Sequence, residues 1–284
     1  MVVATGFFDG AHLGHRLVME ALVAEARRRG TRAVVVTFWP HPRTVLQNGA
    51  RELRLLSTFE EKKKLLLDMG VDEVKVLEFS RELSSWSAEH YIRSVLMERY
   101  GADAIVIGYD NRLGSDGLGA DELESLCRSL HVDVIRPGKA LFRDEPISST
   151  RIRRALQEGL VEDAAAMLGY DYSLHGVVVA GKQLGRTLGY PTANMQLYEP
   201  LKMLPSQGVY AVKVTTLGRE WIGMCNVGPV VETHIFDFNE DIYGLDIKVS
   251  FSARIRDEIQ FNSLDLLKEQ LALDELSCRK YHER

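Results

Sequence analysis

The chain has 284 residues, 45% hydrophobic and 26% charged, and its net charge of −5 leaves neither half basic when it is divided at Tyr170. That suffices for two globular domains and excludes a basic nucleic-acid platform. Cys127, Cys225 and Cys278 lie far apart without a CxxC pair, which excludes a disulfide framework or zinc knuckle and fits a cytoplasmic setting; no basic-then-apolar leader or run of about 18 apolar residues predicts secretion or a membrane span.

Val2-Val3-Ala4-Thr5 reads as a strand that passes through Gly6-Phe7-Phe8-Asp9-Gly10-Ala11-His12-Leu13-Gly14-His15 into a helix ending near Arg29, with Gly30 as its cap. Ala33 to Phe38 is the next strand. A helix from Phe59 to Met69 follows, with Ser57 and Glu60 in capping-box relation, and then a strand from Val71 to Leu77. Ser87 caps a helix to Tyr100, Ala104–Ile107 is a strand, Asp121–Leu130 a helix and Val132–Ile135 a strand. Strands alternating with helices imply right-handed crossovers and a parallel sheet, with ligands at the carboxyl ends of its strands.

Polar sets fall at those ends. They are Gly6–His15, then Trp39-Pro40-His41-Pro42-Arg43, then Gly108-Tyr109-Asp110-Asn111-Arg112, and they are expected to converge. A fourth, Ile147-Ser148-Ser149-Thr150-Arg151-Ile152-Arg153-Arg154, places hydroxyls before a helix and arginines in its first turn. A helix start rich in N–H donors, with glycines and imidazoles, suits phosphate groups. Each set alone also has a plain reading: a capping hydroxyl, a packed histidine, a solvated arginine. A metal site at His12, His15 and His41 lacks an acidic ligand at useful spacing, and neither GxGxxG nor GxxxxGK[ST] follows the first strand.

His12-Leu13-Gly14-His15 resembles the HxGH signature of nucleotidyltransferases, and Ile147–Arg153 resembles their ISSTxxR-type element. Gly6–His15 together with Thr37-Phe38-Trp39-Pro40-His41-Pro42 is similar to the FMN adenylyltransferase module of bacterial bifunctional FAD synthetases. The resemblance implies an ATP and phosphate site built from Gly6, Phe8, Asp9, Gly10, His12, Gly14, His15, Ser148, Ser149, Thr150 and Arg153. His12 and His15 would stabilise charge as the FMN phosphate attacks the α-phosphorus. Pro40, His41, Pro42, Asp110 and Asn111 would contact flavin.

Leu156–Leu168 continues as helix, broken at Gly159, and the texture then changes. Short β-type runs cover His175–Ala180, Val209–Thr215, Trp221–Asn226, Glu232–Phe238 and Asp246–Phe251, with no helix before one from Ser263 to about Leu276. A small antiparallel barrel closed by a helix is expected, with the boundary near Asp171. Glycines beside Lys182 and Arg186 mark turns or a flap over phosphates, and Thr192 and Asn194 offer oxygen ligands for Mg²⁺. In a strand Glu232 and His234 share one face, so Glu232 is either a solvated strand residue or a base for a primary alcohol.

Gly176–Asn194 looks like the GxxLGRxLGxPTAN segment of riboflavin kinases, and Glu232-Thr233-His234 like their (V/M)E(T/V)H element. By that resemblance Gly181, Lys182, Gly185, Arg186, Pro191, Thr192 and Asn194 bind ATP, Thr192 and Asn194 hold Mg²⁺, Glu232 is catalytic, and Arg256, Glu258 and Phe261 face flavin. Two stretches depart from the pattern. Gly108–Gly114 is less aromatic than the family's GxDFxFG. The family's extended loop is absent between Asn226-Val227-Gly228 and Glu232, and the intact flanks lead us to expect a longer connection there.

The expected architecture is therefore α/β: a Rossmann-like HxGH nucleotidyltransferase domain at 1–170 and a riboflavin kinase β-barrel at 171–284. The expected activity is phosphorylation of riboflavin to FMN and adenylylation of FMN to FAD, with ATP as co-substrate, Mg²⁺ as cofactor and pyrophosphate released. The alternative is another HxGH nucleotidyltransferase with an accessory barrel. Expected partners are these small molecules, with no nucleic acid or membrane and at most weak self-association.

Overall fold

The computed structural model describes residues 1–46, 53–181 and 184–283. It divides into two compact units, Met1–Ser149 and Thr150–Arg284.

The first unit runs β1 (Val2–Thr5), α1 (Leu13–Arg28), β2 (Ala33–Trp39), α2 (Pro42–Leu46), α3 (Phe59–Asp68), β3 (Glu73–Glu78), α4 (Arg81–Ser84) and α5 (Ala88–Tyr91). The last continues as a π-helical stretch, Ile92–Arg99; β4 (Ala104–Val106), α6 (Ala120–Ser129), β5 (Asp133–Ile135) and the hairpin β6 (Leu141–Phe142) and β7 (Glu145–Pro146) follow. Five parallel strands pair in the order β3-β2-β1-β4-β5. Alternate residues feed two cores: Val3, Val34, Val36 and Ile105 on one face, Val2, Ala4, Val35, Ala104 and Val106 on the other. Burial on both faces is why these strands read as unbroken apolar runs. The strand order reverses beside β1, so the loops after β1 and β4 flank the crevice where ligands bind in open α/β sheets.

The capping box expected at Ser57 and Glu60 is one residue later, at Thr58 and Glu61. Ser57 is engaged elsewhere: its hydroxyl accepts from Gly10 N at 2.9 Å and donates to Asp9 Oδ1 at 3.2 Å.

The second unit takes in most of α7 (Ser149–Gln157), then α8 (Val161–Leu168), β8 (Ser173–Val179), α9 (Leu184–Leu188), β9 (Ala193–Leu197), β10 (Gly208–Thr216), β11 (Arg219–Val227), β12 (Val231–Ile235), β13 (Asp246–Arg256) and α10 (Leu264–His282). Six antiparallel strands close a barrel in the order β10-β11-β12-β9-β8-β13. Cys278 of α10 packs with Ala211, Met224 and Phe236 of the barrel. Compactness divides the chain ahead of the expected Asp171 boundary because α8 packs on β13.

Two expectations are corrected here. The short helix α9 interrupts the β-rich stretch before Ser263, its turn closed by Tyr190 N donating to Gly185 O at 2.8 Å. The Gly228-Pro229-Val230 connection is a closed hairpin in a continuous sequence: Val227 pairs with Val231, and Gly228 N donates to Val230 O at 3.2 Å. The short link is this chain's own, and no longer loop belongs there.

Candidate active sites

In the first unit the chain leaves β1 through left-handed backbone at Phe8 (φ 54°), Gly10 (φ 76°) and Ala11 (φ 38°). Such angles cost side-chain-bearing residues about 1–3 kcal/mol each and need external support. Asp9 supplies it. Its buried carboxylate accepts from Leu56 N (3.1 and 3.0 Å), Ser57 N (3.1 Å) and the Ser57 hydroxyl.

This folded loop presents His12 as the N-cap of α1. His12 Nδ1 accepts from His15 N at 3.3 Å, so the proton of a neutral His12 ring sits on Nε2, where it can be donated. The two imidazoles stack, with centroids 3.6 Å apart and planes at 16°. Burial, reinforced by His12 and then Lys62, holds the His15 pKa well below the usual imidazole value, and its Nδ1 is buried without a hydrogen-bond partner. A neutral imidazole at a helix N-terminus can donate to an anion.

A cleft of about 100 Å³ joins these rings to Gly6, Phe8 and Gly14 and, from the loop after β4, to Asp110 and Asn111. Asn111 Nδ2 donates to Thr5 O at 3.3 Å, which ties that loop to the end of β1. His41 reaches the group through Phe7, ring centroids 4.1 Å apart. Pro40, His41 and Pro42, like Asp9 and Gly10, lie outside the cleft lining. Ser149 Oγ donates to Asp9 O at 3.1 Å within the first unit; Ser148 precedes α7, and Thr150 and Arg153 lie along that helix in the second unit.

One side chain here escaped the sequence reading. Lys62 of α3 is 1% exposed, donates to Phe7 O at 2.9 Å and sits 3.8 Å from the Phe7 ring centroid. Burial lowers its pKa to about 8, against the opposing effect of Asp9. Its signal was only a lysine at an inward helical position beside Leu66.

In the second unit β12 separates two cavities. Thr233 and Ile235 line one of about 470 Å³ together with Arg186, Pro191, Asp241 and Tyr243. Glu232 and His234, on the opposite face as their spacing predicts, line one of about 290 Å³ with Gly185, Asn226, Arg256, Glu258 and Phe261. Thr192 lines both. Asn194 lines neither and stands opposite Glu232 in register, a buried amide beneath Gly181, where an added Cβ would lie 2.1 Å from its Nδ2. Lys182 falls outside the described residues.

Two supports were missed in the sequence. His234 Nδ1 lies 2.7 Å from Pro191 O, so it donates and fixes the turn that carries Thr192. Asp274 of α10, 1% exposed, accepts from Arg256 Nε (2.9 and 3.0 Å) and Nη2 (2.7 Å), holding the guanidinium at the smaller cavity. Arg256 therefore reaches the cavity as half of an ion pair. Among the described residues no group of three His, Cys, Asp or Glu could hold a metal. The hydroxyl of Thr192 and amide of Asn194 are hard oxygen donors that suit Mg²⁺ when phosphate oxygens complete its shell.

The sequence model of the FAD synthetase family matches residues 1–151, and that of the riboflavin kinase family matches 168–282. The bifunctional riboflavin kinase/FMN adenylyltransferase of Listeria monocytogenes is 34% identical over 290 residues, covering 99% of this chain and 92% of that protein. The protein of the same name from Escherichia coli is 34% identical over 291 residues, with coverage of 99% and 92%. A crystal structure described as a macrolide-efflux protein from Streptococcus pneumoniae superposes with a TM-score of 0.91 at 34% identity, over 98% of this chain and 93% of that one. No helix among the described residues is long and apolar enough to cross a membrane.

Proposed function

The chain belongs to the bifunctional riboflavin kinase/FMN adenylyltransferase family, and from that premise we propose how its residues divide the two reactions. It phosphorylates riboflavin to FMN with ATP and adenylylates FMN to FAD with release of pyrophosphate. The alternative of an accessory barrel is set aside, because the riboflavin kinase model spans the barrel.

We place the kinase on residues 171–284 and the adenylyltransferase on 1–170. The observation that carries the kinase assignment is the position of Thr192 at the junction of two cavities, one beside Arg186 and the other beside Glu232. ATP occupies the larger, with Gly181, Lys182, Gly185, Arg186, Pro191, Thr192 and Asn194 around its phosphates. Riboflavin occupies the smaller, against Arg256, Glu258 and Phe261. Glu232 orients the primary alcohol and accepts its proton as the hydroxyl oxygen attacks the γ-phosphorus. Thr192 and Asn194 would hold Mg²⁺, which supplies charge neutralisation across the transferring phosphates.

In the first unit the nucleophile is already anionic, so the site needs orientation and charge stabilisation rather than a base. His12 and His15 donate to the α-phosphate as the FMN phosphate oxygen displaces pyrophosphate. Gly6, Phe8, Gly14, Ser148, Ser149, Thr150 and Arg153 accommodate the remaining phosphates, Asp9 and Gly10 shape the loop behind them, and Pro40, His41, Pro42, Asp110 and Asn111 face the flavin. We further read the protein as a cytoplasmic enzyme that binds no nucleic acid and is monomeric or weakly self-associating.

The test is chromatographic. Purified protein with riboflavin, ATP and Mg²⁺ yields FMN and then FAD. His12→Ala combined with His15→Ala abolishes FAD while leaving FMN formation intact; loss of both products in a folded variant refutes the division of labour.

A further inference from the structure

Lys62 is a buried cation with few partners. Its ammonium donates to one carbonyl, Phe7 O, and lies over the Phe7 ring. Among the described residues no carboxylate closes an ion pair on it. Asp9, the acidic group whose charge acts on it, accepts from the amides of Leu56 and Ser57. Such a burial is unfavourable for the fold, because the charge loses its water without gaining an anion.

The charge stands where an anion is expected to arrive. It lies close enough to His15 to oppose that ring's protonation, and the carbonyl it holds belongs to Phe7, which lines the histidine cleft. Thr37 Oγ1 also donates to Phe7 O, at 3.2 Å, so removing Lys62 leaves that acceptor satisfied. Anchoring the carbonyl does not require the ammonium.

We propose that Lys62 is a positioning residue for adenylyl transfer: its ammonium, fixed behind Phe7, supplies the positive potential that draws the nucleotide phosphates onto His12 and His15 and steadies the charge of the transition state. This rests on the reading of the first unit as the adenylyltransferase. A fixed charge in a water-poor wall acts on a developing charge without reorganising.

The experiment compares Lys62→Met and Lys62→Arg with the wild-type chain, measuring kcat and KM for ATP and for FMN, thermal unfolding, and FMN formation by the kinase of the same chain. Lys62→Met is expected to lower kcat for FAD formation about 10- to 100-fold, with KM for FMN within about threefold. Its melting temperature holds or rises, and riboflavin phosphorylation is unchanged. Lys62→Arg recovers most of the lost kcat. Wild-type kcat in Lys62→Met overturns the proposal, as does a loss of kcat that tracks a lower melting temperature and is not recovered by arginine. A wild-type chain that forms FMN but leaves supplied FMN unconverted overturns the parent reading, and this one with it.

Discussion

Glu232 on β12 stands directly opposite Asn194 on β9 in antiparallel register, and opposite Asn226 on β11. Cross-strand partners lie about 5 Å apart at Cα and project to the same side of the sheet. The proposed base and a proposed Mg²⁺ ligand are thereby set side by side by backbone pairing alone. Glu232→Gln keeps the shape and removes the proton acceptor, so FMN formation falls by about 10²- to 10⁴-fold. Conversion of supplied FMN to FAD stays at the wild-type rate, as measured by separating the two products over time.

Gly181 and Gly185 are required by close approach. A Cβ at Gly181 would meet Asn194 Nδ2 at 2.1 Å, and one at Gly185 would meet Tyr190 O at 2.3 Å. Gly185→Ala pushes against backbone, which cannot rotate away, and it costs kinase activity more than tenfold, by about 1–3 kcal/mol of distortion. Adenylylation of supplied FMN by the same variant continues unchanged.

His234 holds Pro191 O at 2.7 Å and packs edge-on to Tyr190, centroids 5.2 Å apart. Losing that donor frees the turn carrying Thr192. His234→Ala raises KM for ATP in the kinase reaction by about three- to tenfold, the equivalent of one ordinary hydrogen bond, as read from initial rates of FMN formation at varied ATP.

The Arg256–Asp274 pair is the reverse case, in which both charges are partnered. Side-chain exposures are 16% for Arg256 and 2% for Asp274. Asp274→Ala strands the guanidinium and lowers the stability of the second unit by about 3–5 kcal/mol, read from the urea midpoint. It also weakens riboflavin binding, because the Arg256 side chain loses its fixed orientation.

Lys62 makes stability depend on pH in a defined window. Its pKa falls from 10.5 to about 8 on folding, so between those values the unfolded chain holds more protons than the folded one, and stability rises with pH. Below about 8 both states are charged, and the full burden of about 3 kcal/mol is present. Lys62→Met removes it at pH 7, and the gap between variant and wild type closes as pH climbs toward 10.5. Urea titrations at two pH values measure the difference; a constant gap contradicts it.

Much of this molecule is written locally. The βα alternation, the helix starts at Leu13 and Ala88, the break at Gly159 and the face shared by Glu232 and His234 follow from residue spacing, capping hydroxyls and glycine. These depend on neighbours within a few positions, and so the chain alone determines them. The HxGH turn was legible for the same reason: glycines and imidazoles at a strand-to-helix junction suit phosphate groups.

The tertiary structure decided what depends on distant partners. Ser57 looked like a helix cap but serves Gly10 and Asp9, and Thr58 caps instead. Asp9 sits inside the nucleotide motif, yet its carboxylate braces a loop almost fifty positions away. Lys62 and Asp274 carry no motif, because what distinguishes each is burial against Phe7 or Arg256, segments remote in the chain. Side-chain type and spacing determined which chemistries the protein can host; contacts between remote segments decided which charges are buried, which are paired, and which therefore stand ready for a substrate.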